Sequence, residues 1–406
     1  MTWTFRLSDL YLIEKEKLSV ALLYIGMLIA FLGSMNPWFM WSIGSFYPIF
    51  AAIFLLSSLM ISNTMYQPIY NWGNYLLPLV AFFLYTFYEN ASWGRNANAY
   101  LMIVFRMVIF FTLFRLDTQR LLPLITFIAK VMGVLLAISL IGHFLYLIGI
   151  ILPGKNVEFG QHYSFTNYYL FLLDDRNLFV IIPRFNSYFP EPSHVGSAAA
   201  FLLFAQRGHW KKWYNLVLLA TIFFSFSLAS YIYLIVIVFL NLWIERKQLF
   251  RKLLITVTFF TIGIVTAFTY NGGDNLVHDL ILLRMEVEDG ELAGDNRVTD
   301  NFEKDYSNFL ESSDILLGRN NDTEEFGNAG YKYFFYEHGL IGIILIVLFY
   351  FLALKDAGDK RAVISAFIVA CLYFIVSAFM LLEKLFVPIY AAAYREIELN
   401  PDNKET

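Results

Sequence analysis

Residues 184–196 read RFNSYFPEPSHVG, a charged and proline-broken stretch set between long apolar runs. Pro183, Pro190 and Pro192 remove backbone donors and exclude regular helix through most of it. Arg184, Glu191 and His194 lie inside the same stretch. Non-helical backbone at membrane depth is tolerated only where protein covers it or where it lines a wet cavity. Charge at that depth costs several kcal/mol unless it is paired or solvated. The stretch therefore predicts a polar cavity, or a snorkelling Arg184–Glu191 pair, at the end of a membrane helix that begins near residue 192.

Working outward, the composition agrees. The 406-residue chain is 58% hydrophobic, 19% aromatic and only 15% charged, with a mean hydropathy of +0.58. A soluble domain is about a quarter charged, so the reading is a polytopic integral membrane protein of all-α class. Its formal net charge of −4 carries no information until it is distributed over loops, and nothing in it points to nucleic acid. The single cysteine, Cys371, sits in an apolar run; it excludes an intrachain disulfide and reads as a small buried hydrophobe. Charged residues crowd positions 6–17, and no small-residue cleavage site follows the first apolar run. That run is expected to be a retained first span.

A helix needs about 20 apolar residues to cross the hydrocarbon core. Eleven spans are expected, near 18–34, 39–61, 74–89, 97–114, 127–152, 192–206, 213–228, 230–244, 253–270, 331–353 and 362–382, with a short apolar piece at 385–394 interrupted by Pro388. Lys and Arg gather around 115–120, 207–212, 246–252 and 355–361. These loops fall on one side with the N-terminus, which makes that side cytoplasmic. The opposite side receives two long loops, 153–191 and 271–330. The second carries fifteen Asp and Glu against Arg284, Arg297, Lys304 and Arg319. Its segment LVHDLILLRM (276–285) is apolar enough to lie along the bilayer surface. Two cations fall inside spans: Lys130 can snorkel to the cytoplasmic side, whereas Arg106 is expected to face the bundle interior or water.

The order of these features resembles a known family. RFNSYFPEPS resembles the arginine…Glu-Pro-Ser signature of bacterial O-antigen and capsular polysaccharide polymerases, the Wzy family. TIFFSFSLASYIYLI (221–235) looks like that family's tight outer hairpin, GDNRVTDNFEKD places Arg297 in the long outer loop, and GNAGYKYFFYEHGLIG (327–342) resembles its Asn…Gly-Leu-hydrophobic-Gly segment. The likeness covers roughly residues 175–353. Two departures stand out: Ser187 replaces a glycine common in relatives, and Gly327 occupies the position where related O-antigen ligases carry a histidine.

The resemblance implies transfer of a growing glycan from undecaprenyl pyrophosphate to a lipid-linked repeat unit at the periplasmic face of the inner membrane. Its partners are then undecaprenyl-pyrophosphate-linked oligosaccharides, membrane lipids, a flippase and a chain-length regulator, with no cofactor and no metal. As the glycosidic bond breaks, negative charge grows on pyrophosphate, and fixed cations aimed there lower the barrier. Arginine suits the task because it stays charged and grips phosphate oxygens bidentately. Arg184 and Arg297 are the expected clamps, with Arg319 a third candidate. Glu191 either orients an arginine or accepts the hydroxyl proton from a site dry enough to raise its pKa. His194, Asn328 and His338 are expected around the substrate. An O-antigen ligase and a transporter or flippase of the lipid-linked unit are the alternatives.

Overall fold

The computed structural model describes residues 7–62, 65–67, 72–92, 97–159, 163–175, 182–245, 249–273, 287–288, 291–292, 300–319 and 330–395. Five helices come first: α1 (Leu7–Gly33), α2 (Tyr47–Ile61), α3 (Trp72–Ser92), α4 (Ala97–Arg115) and α5 (Thr118–Leu147). Three strands follow, β1 (Lys155–Phe159), β2 (Tyr163–Asn167) and β3 (Leu172–Asp174). The chain then forms α6 (Pro192–Ala205), α7 (Trp213–Phe224), α8 (Leu228–Glu245) and α9 (Leu249–Thr269). A two-stranded ribbon, β4 (Val287–Glu288) and β5 (Glu291–Leu292), precedes α10 (Asp300–Leu310). The last helices are α11 (Tyr331–Leu354), α12 (Lys360–Val376) and α13 (Glu383–Tyr394).

Among the described residues six segments are long and apolar enough to cross a membrane: 14–33, 44–61, 97–115, 118–147, 228–245 and 331–354. They present aliphatic side chains outward, among them Ile53, Val104, Ile141 and Val347. An apolar surface on this scale belongs against lipid. The expected spans 192–206 and 213–228 are helices of 14 and 12 residues. At ~1.5 Å per residue both fall well short of the ~30 Å core. Hydropathy cannot separate a crossing helix from one buried in protein, and α6 is the second kind. Every residue from Val195 to Ala205 is buried, against α7, α8 and α13. A Cβ added to Gly196 would lie 2.2 Å from Ser230 Oγ, so α6 and α8 touch through small residues, as closely packed membrane helices do.

The all-α expectation needs correcting in the loop 153–191, where β1, β2 and β3 form an antiparallel sheet in that order. Val157 pairs with Phe165, and Phe165 with Asp174. KNVEF and YSFTN alternate polar and apolar side chains, which suits a half-buried strand. Their aromatics are anchored on Trp41, whose ring lies 4.7 Å from Phe159 and 6.2 Å from Phe165. Within the aromatic stretch 163–172, residues 163–167 are strand and Leu172 opens the next. Helix α5 begins nine residues before the expected 127, because Asp117 accepts the Gln119 amide at 3.2 Å and caps it. Cys371 is exposed on α12 instead of buried.

The two ends of the bundle differ in chemistry. At one end, arginines hold the carbonyls that helix C-termini leave open. Arg207 donates to Ala392 O at 2.7 Å and to Arg395 O at 3.2 Å, while Arg395 donates to Ala205 O at 3.2 Å and to Arg207 O at 2.6 Å. Helices α6 and α13 are thus cross-capped, and Arg361 does the same for α8 through Trp243 O at 3.0 Å. Hydrogen bonds to a charged donor contribute about 1.5–3 kcal/mol. Arg207→Ala is expected to cost that much, read as a lower unfolding temperature in detergent micelles. An unchanged temperature would show that water can replace the clamp.

At the other end α11 is broken. Gly339 has φ 57° and ψ −164°, and a returning segment fills the gap. Leu316 O accepts the Ile341 amide at 3.1 Å and Tyr336 O accepts the Arg319 amide at 2.7 Å. Tyr88 Oη donates to Leu317 O at 2.7 Å and to His338 O at 3.0 Å. The two backbones meet through glycines: a Cβ on Gly318 would lie 2.2 Å from Glu337 O. This is irregular backbone covered by protein, as a membrane interior requires. Segment 276–285 lies outside the described residues.

Candidate functional site

The proline-broken segment approaches α6 with its backbone fully engaged. Phe185 donates to Phe224 O at 3.0 Å, Leu172 to Ser187 O at 2.7 Å, and Trp38 to Tyr188 O at 2.9 Å. The sheet, α7 and the turn at Trp38 in the α1–α2 connection thereby fix one loop conformation. Ser187 sits at its apex with φ 53°, in the left-handed region that costs a non-glycine residue roughly 1–2 kcal/mol. The serine thus holds a backbone conformation that glycine adopts more readily. Ser187→Gly should raise the unfolding temperature or leave it unchanged; a marked fall would mean that the buried hydroxyl holds the loop.

This loop carries Arg184 to the α7–α8 turn and Glu191 to the start of α6. Arg184 is half-buried, and its Nε donates to Ser225 O in the α7–α8 turn at 3.4 Å. Glu191 stands directly before α6, with its carboxylate accepting from Tyr163 Oη and, at 2.7 Å, from Ser193 Oγ. His194 Nε2 is 3.9 Å from Glu191 Oε2, and His194 Nδ1 is a buried ring nitrogen without a hydrogen-bond partner among the described residues. Burial alone would push the Glu191 carboxyl up. The imidazole of His194, the Tyr163 and Ser193 hydroxyls and the Lys384 ammonium outweigh it and hold the carboxyl below the ordinary carboxylate range. That reverses the expected upward shift. An ionised, hydrogen-bonded Glu191 is a weak base and a good anchor.

Lys384 is the residue that the sequence reading missed. It lies in the first turn of α13, 1% exposed, close enough to act on the charge of Glu191. Its neighbour Glu383 turns to another partner and is fully buried. Arg106 Nε donates to Glu383 Oε1 at 2.9 Å, Tyr47 Oη donates to Glu383 Oε2 at 2.8 Å, and Arg106 Nη2 donates to Leu381 O. Arg106 therefore faces the interior, as expected, but as half of an ion pair. A cavity of about 430 Å³ opens beside the pair, between α2, α3, α4 and residues 379–382. The available signal was Glu-Lys set into MLLEKLFVPIY, two opposite charges in a run otherwise apolar enough to be passed over.

The remaining candidates lie elsewhere or are occupied. Arg319 donates to Asp314 Oδ2 at 2.7 Å and to Asp305 Oδ1 at 3.3 Å, and lies over the Phe309 ring at 5.8 Å. Its hydrogen bond to Asp314 raises its pKa, and its guanidinium serves to pin α10 to the turn before α11. His338 is 2% exposed, stacked on Phe334 at 4.7 Å and near Tyr85 at 6.4 Å, with Nδ1 3.2 Å from Phe334 O. It is packed beside the α11 break. Arg297 and Asn328 lie outside the described residues. Among the described residues no group of three His, Cys, Asp or Glu is placed to share a metal ion.

The corner before α6 therefore sets the Lys384 ammonium and the His194 imidazole about the Glu191 carboxylate, with Arg184 on the same loop held against the α7–α8 turn. Such a set can bind an anion and hold it in a fixed orientation. Comparison with protein-family models, with curated proteins and with solved structures finds no match.

Proposed function

We propose that the chain is a polysaccharide polymerase of the bacterial inner membrane. It transfers a growing glycan from undecaprenyl pyrophosphate to a lipid-linked repeat unit, by an inverting, metal-independent displacement at the periplasmic face. The observation that carries the reading is the clustering of Glu191, His194 and Lys384, with Arg184 on the same loop, at the end of the bundle opposite the arginine-capped helix ends. Lys and Arg favour the cytoplasmic side, so the arginine-capped end faces the cytoplasm and the corner faces the periplasm. The proposed topology keeps eleven crossings, with α6 enclosed by its neighbours. The sheet in 153–191 and the described part of 271–330 then cover the outer face.

In this reading Arg184 and Lys384 stabilise charge on the departing pyrophosphate, joined by Arg297 from the acidic loop. Glu191 positions the corner through Tyr163 and Ser193, and His194 is the nearby titratable group. Asn328 stays a candidate on the resemblance alone, while Arg319 serves the loop's fold.

A deletion strain tests the class. Loss of a polymerase leaves single repeat units on the surface acceptor, loss of a ligase leaves none, and loss of a flippase accumulates inward-facing lipid-linked units. Normal polymer in the deletion strain would dispose of all three. Within the first outcome, Arg297→Ala is expected to lose polymer by roughly 10²–10³ in rate while single units still reach the surface.

A further inference from the structure

The phosphate-directed corner is only half of what α13 organises. Glu383 and Lys384 are consecutive in its first turn, yet they serve different partners: Lys384 lies near Glu191 and His194, whereas Glu383 holds Arg106, which lines the cavity. About 100° of helix rotation separates successive residues, and a helix with side chains is ~10–12 Å across. The cavity and the corner are therefore neighbours on the order of 10 Å apart, divided by one turn of helix.

The cavity has the character of a ligand site. Its ~430 Å³ falls within the ~300–1,000 Å³ of small-ligand pockets. Segments far apart in sequence line it, including Glu89, Asn90, Asn98 and Arg106 with the rings of Tyr85 and Phe379. Arg106 keeps donors beyond those given to Glu383 and Leu381, and its side chain is 19% exposed. A buried ion pair is at best neutral for stability against an apolar pair of the same volume, so folding alone does not account for it.

Charge and donor pattern identify the ligand. Arg106 is matched by Glu383, and Glu89 adds a further negative charge, which disfavours a phosphate. With Glu383 already held by Arg106 and Tyr47, only Glu89 presents a carboxylate to the cavity, which makes a poor cation site. Amides, a carboxylate and a guanidinium offer both acceptors and donors, as a ring of hydroxyl groups requires, and aromatic rings provide faces for its C–H surface.

We infer that this cavity binds a neutral, hydroxyl-rich sugar ring of the glycan while the corner at Arg184 and Lys384 holds the diphosphate. The sugar assignment rests on the cavity itself; its link to chain growth rests on the polymerase reading.

Saturation-transfer NMR on the full chain in nanodiscs tests it. The probe is lipid-free glycan cleaved from the source cell's own surface polysaccharide, with inorganic pyrophosphate as competitor. The wild type should transfer saturation to sugar protons. Asn98→Trp, which fills the cavity from an exposed position, should reduce the transfer at least tenfold at an unchanged unfolding temperature. Arg184→Ala should leave it intact. Equal transfer in wild type and Asn98→Trp, or none in the wild type, overturns the site. Should pyrophosphate suppress the Asn98-dependent signal, the cavity is an anion site and the sugar assignment falls. A deletion strain with full-length polymer would sink the polymerase reading while leaving the NMR result untouched; single repeat units with no transfer would sink only the cavity.

Discussion

Glu383→Ala is expected to destabilise the folded protein by about 3–5 kcal/mol, the cost of leaving a buried charge without its partner. Glu383 is completely inaccessible and holds both Arg106 and Tyr47. Its removal strands the guanidinium on a single carbonyl, Leu381 O, in a setting where charge is already expensive. Chemical unfolding in mixed micelles reads the loss directly. The comparison that gives the result its meaning is Arg106→Met with Glu383→Leu. Replacing both partners by apolar groups of similar volume is often neutral or stabilising, so the double variant should recover most of the stability. If it folds well yet no longer extends glycan, the pair is retained for what it does at the cavity. A Glu383→Ala protein as stable as the wild type would mean that cavity water solvates Arg106 adequately.

The contrast between this pair and the Arg184 corner shows what can be read from a linear sequence. Arg184, Glu191 and His194 were legible because prolines and charges interrupt an apolar run within eleven residues. Arg106 was legible as a misplaced charge, but its partner lies 277 positions away, and no spacing rule connects them. The same holds for the break in α11. His-Gly-Leu-Ile-Gly reads as an ordinary helix start, and only the approach of Gly318 to Glu337 O reveals a filled gap. Helix positions were mostly legible because hydropathy tracks them. The enclosure of α6 was not, since a buried core helix and a lipid-facing one have the same composition. The sheet was hidden for a local reason: Tyr163 and Phe165 suit a membrane interface as well as a strand.

Arg184→Ala is expected to lower polymerisation by roughly 10²–10³, the usual effect of removing one donor aimed at developing charge. Arg184→Lys is the sharper substitution. A lysine keeps the charge but cannot fork across two phosphate oxygens, so it should remain impaired, with chains shorter than wild type on a surface-polysaccharide gel. Arg184 also donates to Ser225 O, and a purely structural role would therefore shift the unfolding temperature along with chain length. The expected pattern is instead lost chain length at a nearly unchanged temperature, together with wild-type sugar binding at the neighbouring cavity. Lys384→Met provides the second axis. If Arg184 and Lys384 hold one diphosphate, removing both should cost less than the product of the single effects, because residues that act as a unit are not additive. Fully multiplicative losses would place the two cations on different groups. Normal chain length in Arg184→Lys would reduce its part to that of a point charge.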